Sequence, residues 1–98
     1  MGLPVEITVG TSPSVSVRQI LTEETRLSDE RVRRSYRVEL SNALAEAVRL
    51  ELRHPAEDGL RMRRESRRHT MKDGRPLWMV NLPANDVAAL TYTVEVDR

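Results

Sequence analysis

Apolar and polar residues alternate along much of this sequence with a repeat of two. In the run YRVELSN at 36–42, Tyr36, Val38 and Leu40 are separated by polar residues. A strand points successive side chains to opposite faces, whereas a helix advances by about 100° per residue. The period therefore predicts a β-strand with one apolar face.

The stretch SNALAEAVRLELRH at 41–54 is rich in helix-forming residues. On a helix, Leu50 would point away from Val48 and Leu52, whereas on a strand the three side chains share one face. Burial commonly overrides intrinsic propensity, so we predict a strand here. Because only a short link separates this strand from the run at 36–40, we expect the two to pair as antiparallel neighbours.

Further runs with the same alternation bring the total to about seven short strands. Clusters of Gly, Pro, Asn and Asp separate several of them, and Asp73-Gly74 predicts a tight turn that needs positive φ. The polar segment 21–31 has no period, and we expect a mobile loop there. The additional runs are VEITVG (5–10), SVSVRQIL (14–21), LRMR (60–63), LWMVNL (77–82) and ALTYTVEV (89–96).

Strands with one apolar face must bury those faces against one another. The predicted fold is therefore all-β, an immunoglobulin-like antiparallel β-sandwich of about seven strands. The chain lacks cysteine, so it does not carry the Cys…Trp…Cys pattern of antibody domains. Its 98 residues allow one domain, residues 1–98. Because strand-like sequence begins at once, we interpret this domain as excised from a larger protein.

Composition excludes several classes of function. Charged residues make up 32% of the chain, but the net charge is only +1, which indicates a soluble surface rather than an overall nucleic-acid binder. The absence of cysteine excludes disulfides and thiolate catalysis and leaves the compartment open. No apolar run reaches the ~20 residues that span a bilayer, and the N-terminus does not have the pattern of a signal peptide.

No set of residues has the spacing of a catalytic centre. The glycines are scattered, and no nucleophile elbow accompanies the serines. His54 with Glu57 and Asp58 could hold a metal ion, but both His54 and His69 lie in turn-like polar sequence. We interpret the two histidines as solvated loop residues. The sequence thus predicts no catalytic residue, no metal ligand and no cofactor.

The three aromatic side chains have places in this pattern. Trp78 shares its face with Val80 and Leu82, so we expect it in the core. Tyr36 and Tyr92 should also pack inside, with their hydroxyls near an end. The stretch DVAALTY is similar to the tyrosine corner of Greek-key sandwiches, which predicts a bond from the Tyr92 hydroxyl to nearby backbone.

One segment stands out by its charge. Residues 61–75, RMRRESRRHTMKDGR, carry seven cationic and two acidic side chains. They are interpreted either as an anion-binding edge or as a solvated edge whose charge prevents aggregation, and we favour the second. No aromatic residue lies in the segment for base stacking, which argues against nucleic acid. The candidate anion-binding residues are Arg61, Arg63, Arg64, Arg67, Arg68, Lys72 and Arg75.

The order of several motifs along nearly the whole chain resembles a known family. They are VEITVGTSPSVSV, with a strand ending at Gly10, then YRVELSN, VRLEL, WMVNLPAND and LTYTVEV. This order resembles the uncharacterised C-terminal domain of mucoidy inhibitor A-like bacterial proteins. Departures are Ser12, Ala47 and Asn85-Asp86, where that family usually has an acidic residue, proline and glycine. The resemblance implies a β-sandwich module of a larger protein and brings no known activity or catalytic residue.

Together these patterns favour a non-catalytic interaction or scaffold domain. Its partner would be another protein or the neighbouring domains of its parent chain, bound by surface complementarity and strand addition at an exposed edge. The alternative, from a different functional class, is binding of an anionic polymer, a nucleic acid or an acidic polysaccharide, through the arginine-rich segment 61–75.

The shared apolar face makes a direct prediction about Leu50. Burial of such a side chain contributes roughly 1.5–3 kcal/mol, and an unpaired carboxylate in its place adds a desolvation cost. We expect Leu50→Asp to prevent folding, whereas Arg49→Asp, on the opposite face, should still fold. Thermal unfolding followed by circular dichroism checks this, and a cooperative transition of Leu50→Asp near the wild-type temperature would contradict the face assignment.

Overall fold

The computed structural model describes the backbone of residues 6–7 and residues 14–98 in full, and it contains strands and turns without a helix. In this part of the chain, eight strands form two four-stranded antiparallel sheets. The first sheet has the order β1-β4-β7-β6 and the second β2-β3-β8-β5. The strands are β1 (Glu6–Ile7), β2 (Val15–Arg26), β3 (Arg31–Asn42), β4 (Val48–Arg53), β5 (Arg61–Glu65), β6 (Thr70–Lys72), β7 (Arg75–Leu82) and β8 (Asp86–Asp97).

Both sheets contribute their apolar faces to one core, as in a β-sandwich. Leu50 and Trp78 of the first sheet are each 1% exposed, and Val38 and Leu90 of the second are fully buried. The all-β prediction and the period-two faces of these strands are confirmed. The strand prediction for 41–54 is also confirmed over 48–53. The core residues are Val32, Tyr36, Val38, Leu40, Leu50, Leu52, Trp78, Val80, Leu82, Leu90, Tyr92, Val94 and Val96.

The N-terminal strand is described only in part. β1 pairs with β4 through Glu6 and Ile7. The expected common face of Val5, Ile7 and Val9 lies outside the side chains that the structure describes. Within residues 6–7 and 14–98, no helix has the length and apolar character needed to cross a bilayer.

The predicted pairing between the runs at 36–40 and 48–52 is wrong. All twelve residues of β3 pair with β8, and the other edge of β3 pairs with β2. β4 lies instead in the first sheet, where Leu50 faces Val80 of β7. The long ladders on both sides of β3 leave no free edge for the six-residue β4. The link 43–47 therefore carries the chain from one sheet to the other.

The predicted mobile loop at 21–31 is also wrong. β2 continues to Arg26, β3 begins at Arg31, and the two strands form a long hairpin. The register shifts between Leu21 and Glu23, which marks a β-bulge. A bulge adds one residue to a strand and so breaks the alternation that the sequence analysis relied on. The segment is a strand whose period is interrupted.

Two tight turns agree with the expected turn chemistry. Asp73 and Gly74 have φ values of 54° and 74° and join β6 to β7 in a two-residue hairpin. Positive φ at both central residues is the geometry that an Asp-Gly pair favours. Asn85 has φ 53° in the turn before β8, a left-handed conformation that asparagine adopts more readily than most residues.

Asn42, at the end of β3, ties the two sheets together. Its side chain is buried, and Nδ2 lies 2.9 Å from the carbonyl oxygen of Glu46, 3.2 Å from that of Leu82 and 3.0 Å from that of Pro83. Its Oδ1 accepts a hydrogen bond from the backbone N–H of Leu44 at 2.9 Å. One amide side chain thus satisfies backbone groups of the link after β3 and of the end of β7.

Removing the amide of Asn42 should be costly because several buried backbone groups would lose their partner. We expect Asn42→Ala to lower the free energy of unfolding by about 2–3 kcal/mol. Urea unfolding measures this, with the exposed Asn81→Ala as the matched control. Equal unfolding midpoints for the two variants would contradict the bridging role.

Candidate anion-binding surface

The arginine-rich segment 61–75 crosses from one sheet to the other. β5 is an edge of the second sheet, and β6 is an edge of the first sheet. Residues 66–69, here named the basic linker, join the two strands. The charge of the segment is therefore carried at free sheet edges, where cationic side chains oppose strand-to-strand aggregation.

Core and neighbouring-strand groups hold the backbone of the basic linker in place. The indole N–H of Trp78 donates to the carbonyl oxygen of Arg67 at 3.0 Å. The backbone N–H of Ser66 donates to the carbonyl oxygen of Thr91 at 2.8 Å, and the N–H of Thr91 donates to Ser66 Oγ at 2.9 Å. The side chains of Arg67 and Arg68 remain exposed. The linker thus presents two guanidinium groups from a fixed backbone.

His69 closes the linker and is not the solvated residue that we expected. Both its backbone N–H and its Nδ1 contact the carboxylate of Glu65, at 2.7 and 2.9 Å. Its ring lies 6.2 Å from that of Trp78, and only 23% of its side chain is exposed. The glutamate at the end of β5 therefore orients the histidine that precedes β6.

Three guanidinium groups converge on one carboxylate at the outer face of the second sheet. Arg33 donates from Nε and Nη2 to Glu95 Oε2 at 3.1 and 2.8 Å. Arg63 Nε lies 3.4 Å from the same oxygen, and Arg31 Nη2 lies 3.8 Å from Oε1. The hydrogen bond from Arg33, with Arg63 and Arg31 nearby, holds the pKa of Glu95 below its ordinary value. Arg31 also lies 2.7 Å from Asp97, so two carboxylates face three cations and the cluster keeps one positive charge in excess.

Beside this cluster, β3, β8 and β5 enclose a shallow cavity of about 310 Å³. Ser35 Oγ and Thr93 Oγ1 lie 2.9 Å apart on its floor. A second cavity of about 360 Å³ shares Ser35, Arg64 and Thr93 with the first. The lining residues of the first cavity are Glu23, Arg33, Ser35, Arg63, Arg64 and Thr93.

The structure separates the seven predicted anion-binding residues into three places. Three of them, Arg61, Arg63 and Arg64, lie on β5 beside β8. In the register of these two strands, Arg61 lies opposite Glu95, and Arg64 lies opposite Thr93. Arg67 and Arg68 lie on the basic linker, as described above.

The last two predicted residues belong to the first sheet. Lys72 Nζ lies 3.8 Å from Glu51, and Arg75 Nε donates to the carbonyl oxygen of His54 at 3.0 Å. The seven residues thus do not form one patch. The second-sheet face and the basic linker carry the part of the charge that is presented together.

Sequence analysis missed Arg33, Ser35 and Thr93 as neighbours of the arginine-rich segment. Arg33 and Ser35 share the outward parity of Arg37, which was available from the alternation of β3. Their proximity to β5 depends on the strand order β3-β8-β5, and no local pattern specifies that order.

A chain of hydrogen bonds occupies the core between the sheets, and it corrects the interpretation of His54 as a solvated residue. His54 is fully buried, with Nδ1 2.8 Å from Tyr92 Oη and Nε2 2.5 Å from Glu57 Oε1. Gln19 Nε2 donates to Tyr92 Oη at 3.0 Å. His54 continues the inward parity of Leu50 just past the end of β4, which explains its burial.

The expected tyrosine corner is wrong, because the partners of the Tyr92 hydroxyl are His54 and Gln19 rather than nearby backbone. The bonds fit a neutral imidazole. Tyr92 accepts from Gln19 and donates to His54 Nδ1, and His54 Nε2–H donates to Glu57. Burial lowers the pKa of His54 despite the opposing effect of Glu57, and burial raises the pKa of Tyr92.

His54 and Glu57, two of the three side chains considered as metal ligands, already have protein partners. Both ring nitrogens of His54 have protein partners, and Glu57 Oε2 lies 3.7 Å from Arg34. Among the described residues, no group of three or more His, Cys, Asp or Glu side chains could hold a metal ion.

We compared the chain with protein-family models, with curated proteins and with solved structures. None of the three comparisons found a match. Inference about function therefore rests on the chain's own residues.

The buried His54 should make stability depend on pH. Its folded pKa lies below the unfolded value of about 6.5, so the unfolded state binds a proton first as the pH falls. The stabilisation is complete above that value and decreases as the pH falls below it. We expect the urea midpoint to decrease between pH 7.5 and pH 5.5, with a smaller decrease in His54→Gln. An unchanged pH dependence in His54→Gln would contradict this assignment.

Proposed function

We propose that this domain is a non-catalytic interaction module whose partner is anionic. The groups that could perform acid–base chemistry, His54, Glu57 and Tyr92, form a hydrogen-bonded chain in which the bonding capacity of the imidazole is used. His54 has no exposed surface on which a substrate could act. General acid–base catalysis requires a group within reach of the reacting atom, and the imidazole of His54 is out of such reach.

We also propose that the β-sandwich is immunoglobulin-like, and the strand order of the two sheets supports this. In that fold one sheet has the order A-B-E-D and the other contains C, F and G. The first sheet corresponds to A-B-E-D if the β2–β3 hairpin is an insertion after strand A. β5 and β8 then correspond to C and F, and β3 takes the place of G beside F. The motif resemblance to the C-terminal domain of mucoidy inhibitor A-like proteins fits the same proposal.

One observation carries the choice of an anionic partner. Among the described residues, the guanidinium groups of Arg64, Arg67 and Arg68 have no ion-pair partner, whereas many other arginines of the chain have one. The backbone of the basic linker is fixed by Trp78 and Thr91. Binding to a preorganised group costs less conformational entropy than ordering a flexible one. Exposed, uncompensated cations on a fixed backbone are suited to a polyanion.

Chromatography on immobilised heparin tests this proposal. We expect wild-type protein to be retained at low salt and Arg67→Gln/Arg68→Gln to elute at clearly lower salt. The matched control, Arg18→Gln/Arg49→Gln, removes the same charge from exposed positions elsewhere. Absence of retention, or an equal decrease in both double variants, would overturn the proposal, because the second result would reflect net charge alone.

A further inference from the structure

The outer face of the second sheet carries a second group of cations and hydroxyls besides the basic linker. We propose that the cavity between β3, β8 and β5 is a subsite for a tetrahedral oxyanion, a sulfate or phosphate group carried by the anionic partner. This inference deepens the proposed function and rests on it. It adds Arg33, Ser35 and Thr93, which lie outside the arginine-rich segment.

The donors at this cavity are not all used by the protein. Arg64 lines the cavity without an ion-pair partner among the described residues. Arg63 contacts Glu95 through Nε, at 3.4 Å, which leaves its terminal nitrogens available. Guanidinium groups with several N–H donors are the preferred protein partners of phosphate and sulfate oxygens.

The hydroxyl pair supplies one further donor. Ser35 and Thr93 together have two hydroxyl hydrogens, and the bond of 2.9 Å between their oxygens uses one of them. The remaining hydrogen is free to point into the cavity that both residues line. Three donor groups then line the cavity, the Ser35–Thr93 hydroxyl pair, Arg63 and Arg64. A tetrahedral anion can accept bonds from three directions at once, whereas a planar carboxylate offers two oxygens.

Two carboxylates limit how many anions the cavity can hold. Arg33 already donates two hydrogen bonds to Glu95 Oε2, so it contributes mainly its charge. Glu23 is exposed and lines the rim. Three arginines, Arg33, Arg63 and Arg64, against two carboxylates, Glu23 and Glu95, leave one positive charge in excess, which suits a single oxyanion. Because Glu23 opposes the anion, its neutralisation should strengthen binding.

The adjoining cavity gives room for the group that carries the oxyanion. It is lined in part by Ser66, Thr91 and Thr93, and it leads along β8 towards the basic linker, which begins at Ser66. Hydroxyl side chains in this cavity can bond to the sugar hydroxyls of a polymer. A bound chain would thus place one charged group at Arg64 and the next groups at Arg67 and Arg68.

The test is a titration of the ¹⁵N-labelled whole chain, with inorganic sulfate or phosphate as the probe and sodium chloride at matched ionic strength as the reference. We expect saturable shifts of the Ser35, Arg64 and Thr93 amides with both oxyanions and no saturation with chloride. Arg64→Gln should weaken binding about tenfold, the loss of roughly one charge-assisted hydrogen bond. Glu23→Gln should strengthen it severalfold, and Arg18→Gln should leave it unchanged.

A variant without the two hydroxyls distinguishes a specific oxyanion site from nonspecific attraction to a positively charged surface. Ser35→Ala/Thr93→Val keeps every charge, so equal affinity in this variant and wild type would overturn the subsite. Shifts that do not saturate, or an equal effect of Arg64→Gln and Arg18→Gln, would also overturn it. Folding of each variant is checked by the dispersion of the core resonances.

Two further arms identify the source of the oxyanion and separate the two proposals. A sulfated tetrasaccharide and a short oligophosphate are titrated in parallel, and the tighter one identifies the carrier. Saturable binding of inorganic sulfate without retention on heparin would contradict the proposed polyanion partner and would still support the oxyanion subsite. Retention on heparin that depends on Arg67 and Arg68 but not on Arg64, Ser35 or Thr93 would overturn the subsite and leave the partner standing.

Discussion

The contact between Tyr92 and Trp78 is the interaction on which the rest of this molecule depends. The rings belong to opposite sheets, and their centroids lie 4.7 Å apart. The ring of Tyr36 lies 5.3 Å from that of Tyr92, and the imidazole of His54 lies 5.4 Å away on edge. Aromatic pairs of this kind contribute about 0.5–1.5 kcal/mol beyond their buried area. With only three aromatic residues in the chain, this cluster fixes how the sheets lie against each other.

The same cluster explains how polar groups are accommodated in so small a core. Burial of the Tyr92 hydroxyl and the His54 ring would be unfavourable without partners, since an unpaired buried polar group costs about 1–3 kcal/mol. Gln19 from the second sheet and Glu57 from the loop after β4 complete the chain of hydrogen bonds. Within the described residues, no buried side-chain nitrogen or oxygen lacks a hydrogen-bond partner. This series of hydrogen bonds therefore specifies one relative position of the two sheets, which apolar contacts alone would fix less strictly.

Much of the fold could be predicted because burial imposes a period of two. The runs that contain Leu50, Trp78 and Tyr92 show it plainly, and their strands and faces were predicted correctly. Strand pairing was less accessible, because the partner of β4 depends on which edges are already occupied by longer ladders. The hairpin at 21–31 was missed because a bulge interrupts its period. Local patterns specify faces, whereas topology and register depend on the whole sheet.

The candidate site was likewise predictable where local sequence determines it and unpredictable where strand order determines it. The arginines of β5 and the basic linker were recognisable as a charge cluster, but the cluster proved to be divided between two sheets. Arg33 and Ser35 reach the cavity only because β8 brings β3 and β5 together. His54 could have been placed by extending the parity of Leu52 by one step. Its polar neighbours and its closeness to a proline suggested a turn instead.

The indole of Trp78 has one further consequence. It is the only tryptophan in the chain, and its N–H is bonded to the carbonyl oxygen of Arg67 in the basic linker. A displacement of that backbone would change the polarity around a single fluorophore. The wavelength of its ultraviolet emission therefore reports, without an added label, any displacement of the basic linker.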